Sequence, residues 1–208
     1  MGHPGIPKRV FSRVGFDNDG CTAGEAKLKG QHMQAMDQTN SVNVFNLIGT
    51  KLPRLSLTST CGEAVNLAAL PLHSLLILHP FALAPYQKLP HSFSSIPFVA
   101  GCSEQLLSFK ALHQEFQSEG IALFGISTQS ALIQEALTQI LALPFPLLSD
   151  ADRDFARTLR LPMLHAGRVP RMMRMIFEIQ NGCIKRVFDP IERHTNWAAD
   201  ILSEISLF

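Results

Sequence analysis

Residues 74–79, Ser-Leu-Leu-Ile-Leu-His, are apolar almost without a break, and Pro80 stops them. The run is too short for a core helix. A strand with one wet face would alternate apolar and polar residues, and this one does not. It reads as a central strand covered on both faces, the pattern of a parallel sheet between helices. Residues 121–126, Ile-Ala-Leu-Phe-Gly-Ile, form a second such run. Between the two, Leu106, Phe109, Leu112 or His113, and Phe116 recur at helical spacing and give one apolar stripe. Gly120 is a fitting C-cap. The unit is strand, helix, strand, which implies a parallel core.

The rest of the chain builds around this unit. Residues 55–58 and 64–67 flank turn chemistry at Gly62 and read as a β-hairpin, with Cys61 in its turn. Ser127, Thr128 and Ser130 can cap a helix over 131–141. Residues 144–150 form a short apolar segment ending in a cap, and a helix follows over 152–159. Residues 160–171 read as a loop around Pro162, Gly167 and Pro170. Strands over 172–179 and 183–188 are joined by Asn181-Gly182, a strong hairpin signal. A last helix spans 195–206, with Thr195 as its cap. The sum is an α/β chain with a mixed central sheet flanked by helices, an order that fits the thioredoxin-like architecture. Residues 1–44 are polar and without clear periodicity. They read as an N-terminal tail or loosely packed extension, with a short helix over 31–38, and residues 45–208 as the folded domain.

The chain of 208 residues is long enough for a substantial core, and its formal net charge is +1. So weak a field gives no reason to expect nucleic acid or an anionic membrane as partner. Arg168, Arg171 and Arg174 do cluster, as a local site or a solvated face. The longest apolar tract, about 64–85, is interrupted by Asn66, Pro71, His73, His79 and Pro80, and is no membrane span. Lys8, Arg9 and Arg13 have no apolar run behind them, which speaks against a secretory signal. The absence of acidic residues before Asp17 leaves a transit peptide open. Cys21, Cys61, Cys102 and Cys183 are too few and scattered for a disulfide scaffold. Neither they nor the histidines show metal-ligand spacing, so no metal is expected. This usage fits a reducing, cytoplasmic location.

Cys102 stands apart from the other cysteines. Pro97 and Gly101 mark the residues before it as a loop, and from Ser103 the chain reads as a helix with Glu104 in its first turn. Cys102 therefore falls where unpaired backbone N–H groups gather. They favour an anion, and a thiolate is an anion. The long loop over 81–95 leads to it, and long loops in compact domains are usually functional. A buried, inert thiol is the plain alternative.

From about Gly49 onward the chain resembles the peroxiredoxins, particularly the bacterioferritin-comigratory, AhpC/TSA-like branch. Leu52-Pro53 with Leu55 and Leu57 looks like the family's entry strand. Gly62 with Val65 and Leu67 looks like its hairpin. Leu78-His79-Pro80 resembles the end of its first core strand. Gly101-Cys102-Ser103-Glu104-Gln105 with Phe109 resembles the peroxidatic box. Residues 124–127 and 145–150 are similar to two further hallmarks, and Arg174, Phe177 and Ile179 before Asn181-Gly182 to the arginine strand.

The resemblance implies a thiol peroxidase without cofactor, reducing hydrogen peroxide or alkyl hydroperoxides. Cys102 would be the peroxidatic thiolate and become a sulfenic acid. Arg174 would lie beside it, lowering its pKa and holding the peroxide oxygens. Gly101 and Ser103 would bind substrate or activate. The family's proline and hydroxyl residue before the cysteine are replaced by Ser95 and Val99, so Ser103 or a loop serine would supply the hydroxyl. The branch's resolving position holds Leu107. Resolution would fall to Cys61, Cys21 or Cys183, or to a thioredoxin, a glutaredoxin or a small thiol, with a homodimer among the allowed assemblies. The alternative is a redox sensor or binding module that kept the fold and lost efficient turnover.

Overall fold

The computed structural model describes residues 44–88, 91, 101–165, 169–188 and 197–206. Residues 1–43 of the expected tail, with Cys21 and the helix over 31–38, and Ser95, Val99 and the Thr195 cap lie outside these residues, while Val44 is buried and belongs to the fold. A 3-10 turn over Val44–Leu47 precedes the hairpin of β1 (Ser56–Ser59) and β2 (Ala64–Asn66). Then come β3 (His73–Leu78), α1 (Cys102–Ala111), α2 (His113–Ser118) and β4 (Ala122–Ser127). They are followed by α3 (Ala131–Leu141), β5 (Leu147–Ser149), α4 (Asp154–Thr158), β6 (Met163–Leu164) and β7 (Arg171–Met172). The chain closes with β8 (Met175–Gln180), β9 (Cys183–Phe188) and α5 (Trp197–Ser206).

Among the described residues, seven strands form one sheet in the order β2-β1-β5-β4-β3-β8-β9. β3, β4 and β5 run parallel, while β1 and β8 join antiparallel at either side. β3 sits between β4 and β8 and is buried from Ser74 to Leu78, which is why it lacks alternation. Its side chains still divide by the two-residue period of a strand. Leu75 and Ile77 join a cluster with Leu106, Phe109 and Phe116 of the first two helices and Ile201 of α5. Leu76 and Leu78 join the opposite cluster, with Phe155 of α4 and Phe177 of β8. The result is the mixed sheet between helices that the sequence implied, in a thioredoxin-like fold.

Several details differ from the sequence reading. The helix after Cys102 is broken at Leu112 into α1 and α2, and Gly120 follows with φ 70. Ser130 is the N-cap of α3 but makes no side-chain cap bond. Residues 160–171 are not all loop, because β6 and β7 pair as a two-stranded ribbon, Leu164 opposite Arg171. Met172 belongs to that ribbon, and β8 begins only at Met175. The Asn181-Gly182 turn is as expected: φ is 51 and 73, the left-handed pair that a type I′ hairpin turn requires.

Buried Glu178 of β8 faces β9. His73 and Arg186 hydrogen-bond its two carboxylate oxygens, and Lys185 stands 3.8 Å away. Burial alone would push its pKa up. The hydrogen bonds from His73 and Arg186 and the charges of Arg186 and Lys185 overcome that and pull it to about 2.

Candidate active site

Cys102 is the first residue of α1, just beyond the carboxyl end of β3. Its N-cap Gly101 has φ 91, a left-handed conformation that glycine adopts without strain. The same turn brings the chain against Arg174, for a Cβ at Gly101 would lie 3.7 Å from Arg174 Nη1. Arg174 is buried, and its Nη2 donates to the Cys102 sulfur at 3.2 Å. Its guanidinium also lies 5.9 Å from the ring centroid of Trp197, at the start of α5. The expected pairing of Cys102 with Arg174 is therefore present in the geometry, across 72 residues of sequence.

A second donor reaches the sulfur, the backbone N–H of Phe81. Two clamps hold the segment that carries it. Gln129 binds Ala82 on both sides: Ala82 N–H donates to Oε1 at 2.9 Å, and Nε2 donates to the Ala82 carbonyl at 3.0 Å. Gln129 is in turn fixed by Gln134, whose side chain donates to the Gln129 carbonyl at 2.9 Å, and by the Ser149 hydroxyl at 2.8 Å. Ser103 supplies the second clamp. Its hydroxyl donates to the Leu83 carbonyl at 2.7 Å and accepts from the Leu83 N–H at 2.9 Å. Ser103 was expected to offer its hydroxyl to the sulfur; it pins the strand-to-helix loop instead.

The electrostatics differ from expectation in one respect. Arg174 was expected to hold the thiol below its usual pKa. In the structure burial pushes the Cys102 thiol up, since only 2% of the residue is exposed. The charge of Arg174, the Phe81 N–H and the Arg174 hydrogen bond pull against that, and Glu104 pushes up again. His79 lies wholly buried at the end of β3, and neither ring nitrogen has a partner among the described residues. Burial, and then Arg174, lower its pKa to about 3, so the ring is neutral at physiological pH. Sequence reasoning gave His79, Gln129 and Phe81 no part in the site. Only the short spacing of Phe81 from the end of β3 hinted at its place.

Residues 47–202 match the redoxin family model. The chain belongs to the redoxin family. This redoxin is 26% identical over 89 residues to the chloroplastic peroxiredoxin Q of Suaeda salsa, a match spanning 43% of this chain and 41% of that protein. The chain thus matches about two fifths of the length of that curated relative. Among solved structures it resembles a mutant of Xylella fastidiosa PrxQ with TM-score 0.60 and 18% identity, covering 86% of this chain and 98% of the other. It also resembles the Xanthomonas campestris bacterioferritin comigratory protein, in a structure concerned with alkyl peroxide reduction. There the TM-score is 0.57 at 20% identity, covering 74% of this chain and 90% of that one. These likenesses establish the fold.

The redoxin's other described cysteines are not near Cys102. Cys61 is exposed in the β1–β2 turn. β1 lies three strands from β3, about 14 Å across the sheet. It runs antiparallel to β5, so its turn points toward the end of the sheet opposite Cys102. Cys183 begins β9 opposite Gln180, whose partner on β3 is His73. The length of β3, about 20 Å, separates that corner from Cys102. Cys183 is also disulfide-bonded, a departure from the fully reduced thiols implied by the sequence. A disulfide needs Cα atoms within about 7 Å, so neither cysteine can reach Cys102 in this fold. Among the described residues no group of three or more His, Cys, Asp or Glu could hold a metal, and no helix is long and apolar enough to cross a membrane.

Proposed function

We propose that this redoxin is a thiol-dependent peroxidase acting on hydrogen peroxide or alkyl hydroperoxides through Cys102. The observation that carries the reading is the buried guanidinium of Arg174, 3.2 Å from a sulfur at a helix N-terminus. A charge buried at that place needs a reason. The sulfur, as thiolate, attacks the terminal oxygen of the hydroperoxide, and the O–O bond breaks. The sulfur is oxidised by two electrons to sulfenic acid, the peroxide is reduced, and the thiol's proton ends on the departing alcohol or water. Arg174 stabilises the thiolate and the negative charge that grows on the departing oxygen. The Phe81 N–H, held by Gln129 and Ser103, gives the sulfur a second fixed donor. A thiol from outside the site then condenses with the sulfenic acid, releasing water, and a second thiol frees Cys102. A thioredoxin, a glutaredoxin or a small thiol fits this step. A cytoplasmic location and a homodimer are compatible with it. A binding module needs no cation on its sulfur, so a reactive thiol is preferred, and turnover with added thiol separates the peroxidase from a sensor.

Stopped-flow oxidation by hydrogen peroxide tests the reading. Cys102→Ser should abolish the first oxidation, while Cys61→Ser should leave it intact. Single-turnover oxidation that survives in Cys102→Ser would overturn the assignment.

A further inference from the structure

Arg171, the first residue of β7, has no part in the chemistry above. Its guanidinium lies 5.0 Å from the ring centroid of Phe81, the residue whose backbone N–H meets the Cys102 sulfur. Its Nη1 approaches the Thr128 hydroxyl at 3.5 Å, just past the end of β4. Arg171 thus stands at the carboxyl edge of the parallel strands, beside the loop that carries Phe81. In open α/β sheets that edge is where ligands bind.

The guanidinium is only partly exposed, and its Nε is buried without a hydrogen-bond partner. The other arginines in ion pairs, Arg157 and Arg186, meet Asp154 and Glu178. Arg171 meets no carboxylate among the described residues. Burial lowers its pKa, as expected of a cation removed from water and given no counter-charge. Such a group is poised for an anion, and a guanidinium fork suits a carboxylate.

We propose that Arg171 forms a subsite for the carboxylate of an anionic organic hydroperoxide, with Phe81 packing against the carbon skeleton between that carboxylate and the peroxide at Cys102. The proposal rests on the peroxidase reading. It makes this redoxin selective for hydroperoxides that carry an acid group several atoms from the peroxide. Neutral hydroperoxides would lack the second anchor, and hydrogen peroxide would reach neither Phe81 nor Arg171.

The test compares carboxy-cumene hydroperoxide with its methyl ester in single-turnover oxidation of the full chain. Wild type should prefer the acid by about tenfold to a hundredfold, the range of one charged hydrogen-bonding contact. In Arg171→Met the ratio of acid to ester should fall toward one, and in Arg171→Lys much of it should return. The wild-type ratio should also shrink as salt is raised, a readout that stands even if Arg171→Met does not fold. Equal rates for acid and ester in wild type would overturn the subsite, as would a preference that survives in Arg171→Met. Oxidation by neither compound, nor by hydrogen peroxide, would overturn the peroxidase reading and the subsite with it.

Discussion

At the scale of single residues, the proposed chemistry rests on the contact between Cys102 and Arg174. Burial holds the thiol above its ordinary range, so the wild-type oxidation rate should climb as pH rises past neutrality. Arg174→Met keeps length and apolar character in a buried place. It should fold, and its oxidation rate at pH 7 should fall by about tenfold to a thousandfold, or roughly 1.4 to 4 kcal/mol. High pH should restore only part of the rate, because ionisation returns there and the contact with the peroxide does not. Stopped-flow rates of both proteins across pH decide this, and an unchanged rate at pH 7 would make Arg174 a mere strand-end residue. The sequence made Cys102 legible, because a loop glycine and a helix start can be read locally. Arg174 drew notice as a charge among Met172, Met173, Met175 and Ile176. Its contact with a sulfur 72 residues away came only from the resemblance. The raised thiol was not legible, since burial at a helix N-terminus depends on packing from α5 and the loop around Phe81.

At the scale of elements, β8 and β9 are tied by Glu178 as well as by their ladder. Glu178→Gln keeps the shape and removes the charge. Removing one partner of a buried ion pair commonly costs about 3 to 5 kcal/mol. Arg186 keeps 20% of its side-chain surface in water, so about 1 to 3 kcal/mol is expected here. The sign with pH follows from a folded pKa near 2, below the unfolded value. The carboxylate's contribution is full above about pH 4.5, the ordinary glutamate range, and is lost as pH falls toward 2. Denaturant melts should show the gap between wild type and variant at pH 7 and its closing in acid. A constant gap from pH 7 to 2.5 would show that the charge of the carboxylate is not what ties the strands. Elements with a strong local signal were legible: the apolar runs of β3 and β4, the Asn181-Gly182 turn, the residues of α3. The ribbon of β6 and β7 was not, because two-residue strands have no period to read. It is that ribbon which carries Arg171 to the sheet edge.

At the scale of the whole molecule, the fold keeps Cys61 and the disulfide-bonded Cys183 away from Cys102. Peroxide-treated protein should form no disulfide between Cys102 and Cys61 or Cys183 within one chain. A dimedone adduct on Cys102 should be trapped in high yield, and added thiol should give a mixed disulfide. Mass spectrometry finding a rapid, quantitative disulfide between Cys102 and Cys61 would require the sheet to come apart, and would refute this reading. Separation across the sheet also governs time. Where a partner thiol stands close by, a sulfenic acid is removed in a first-order step, at a rate indifferent to its surroundings. Where removal is left to an outside thiol, as proposed, the step is second order, and its half-life lengthens as that thiol grows scarce. A second peroxide then competes for the same sulfur and drives it on to sulfinic acid. The fate of each molecule is thus decided by the ratio of peroxide to free thiol around it. On the proposed reading the protein would turn over peroxide where thiol is abundant and would accumulate as sulfinic acid where it is not.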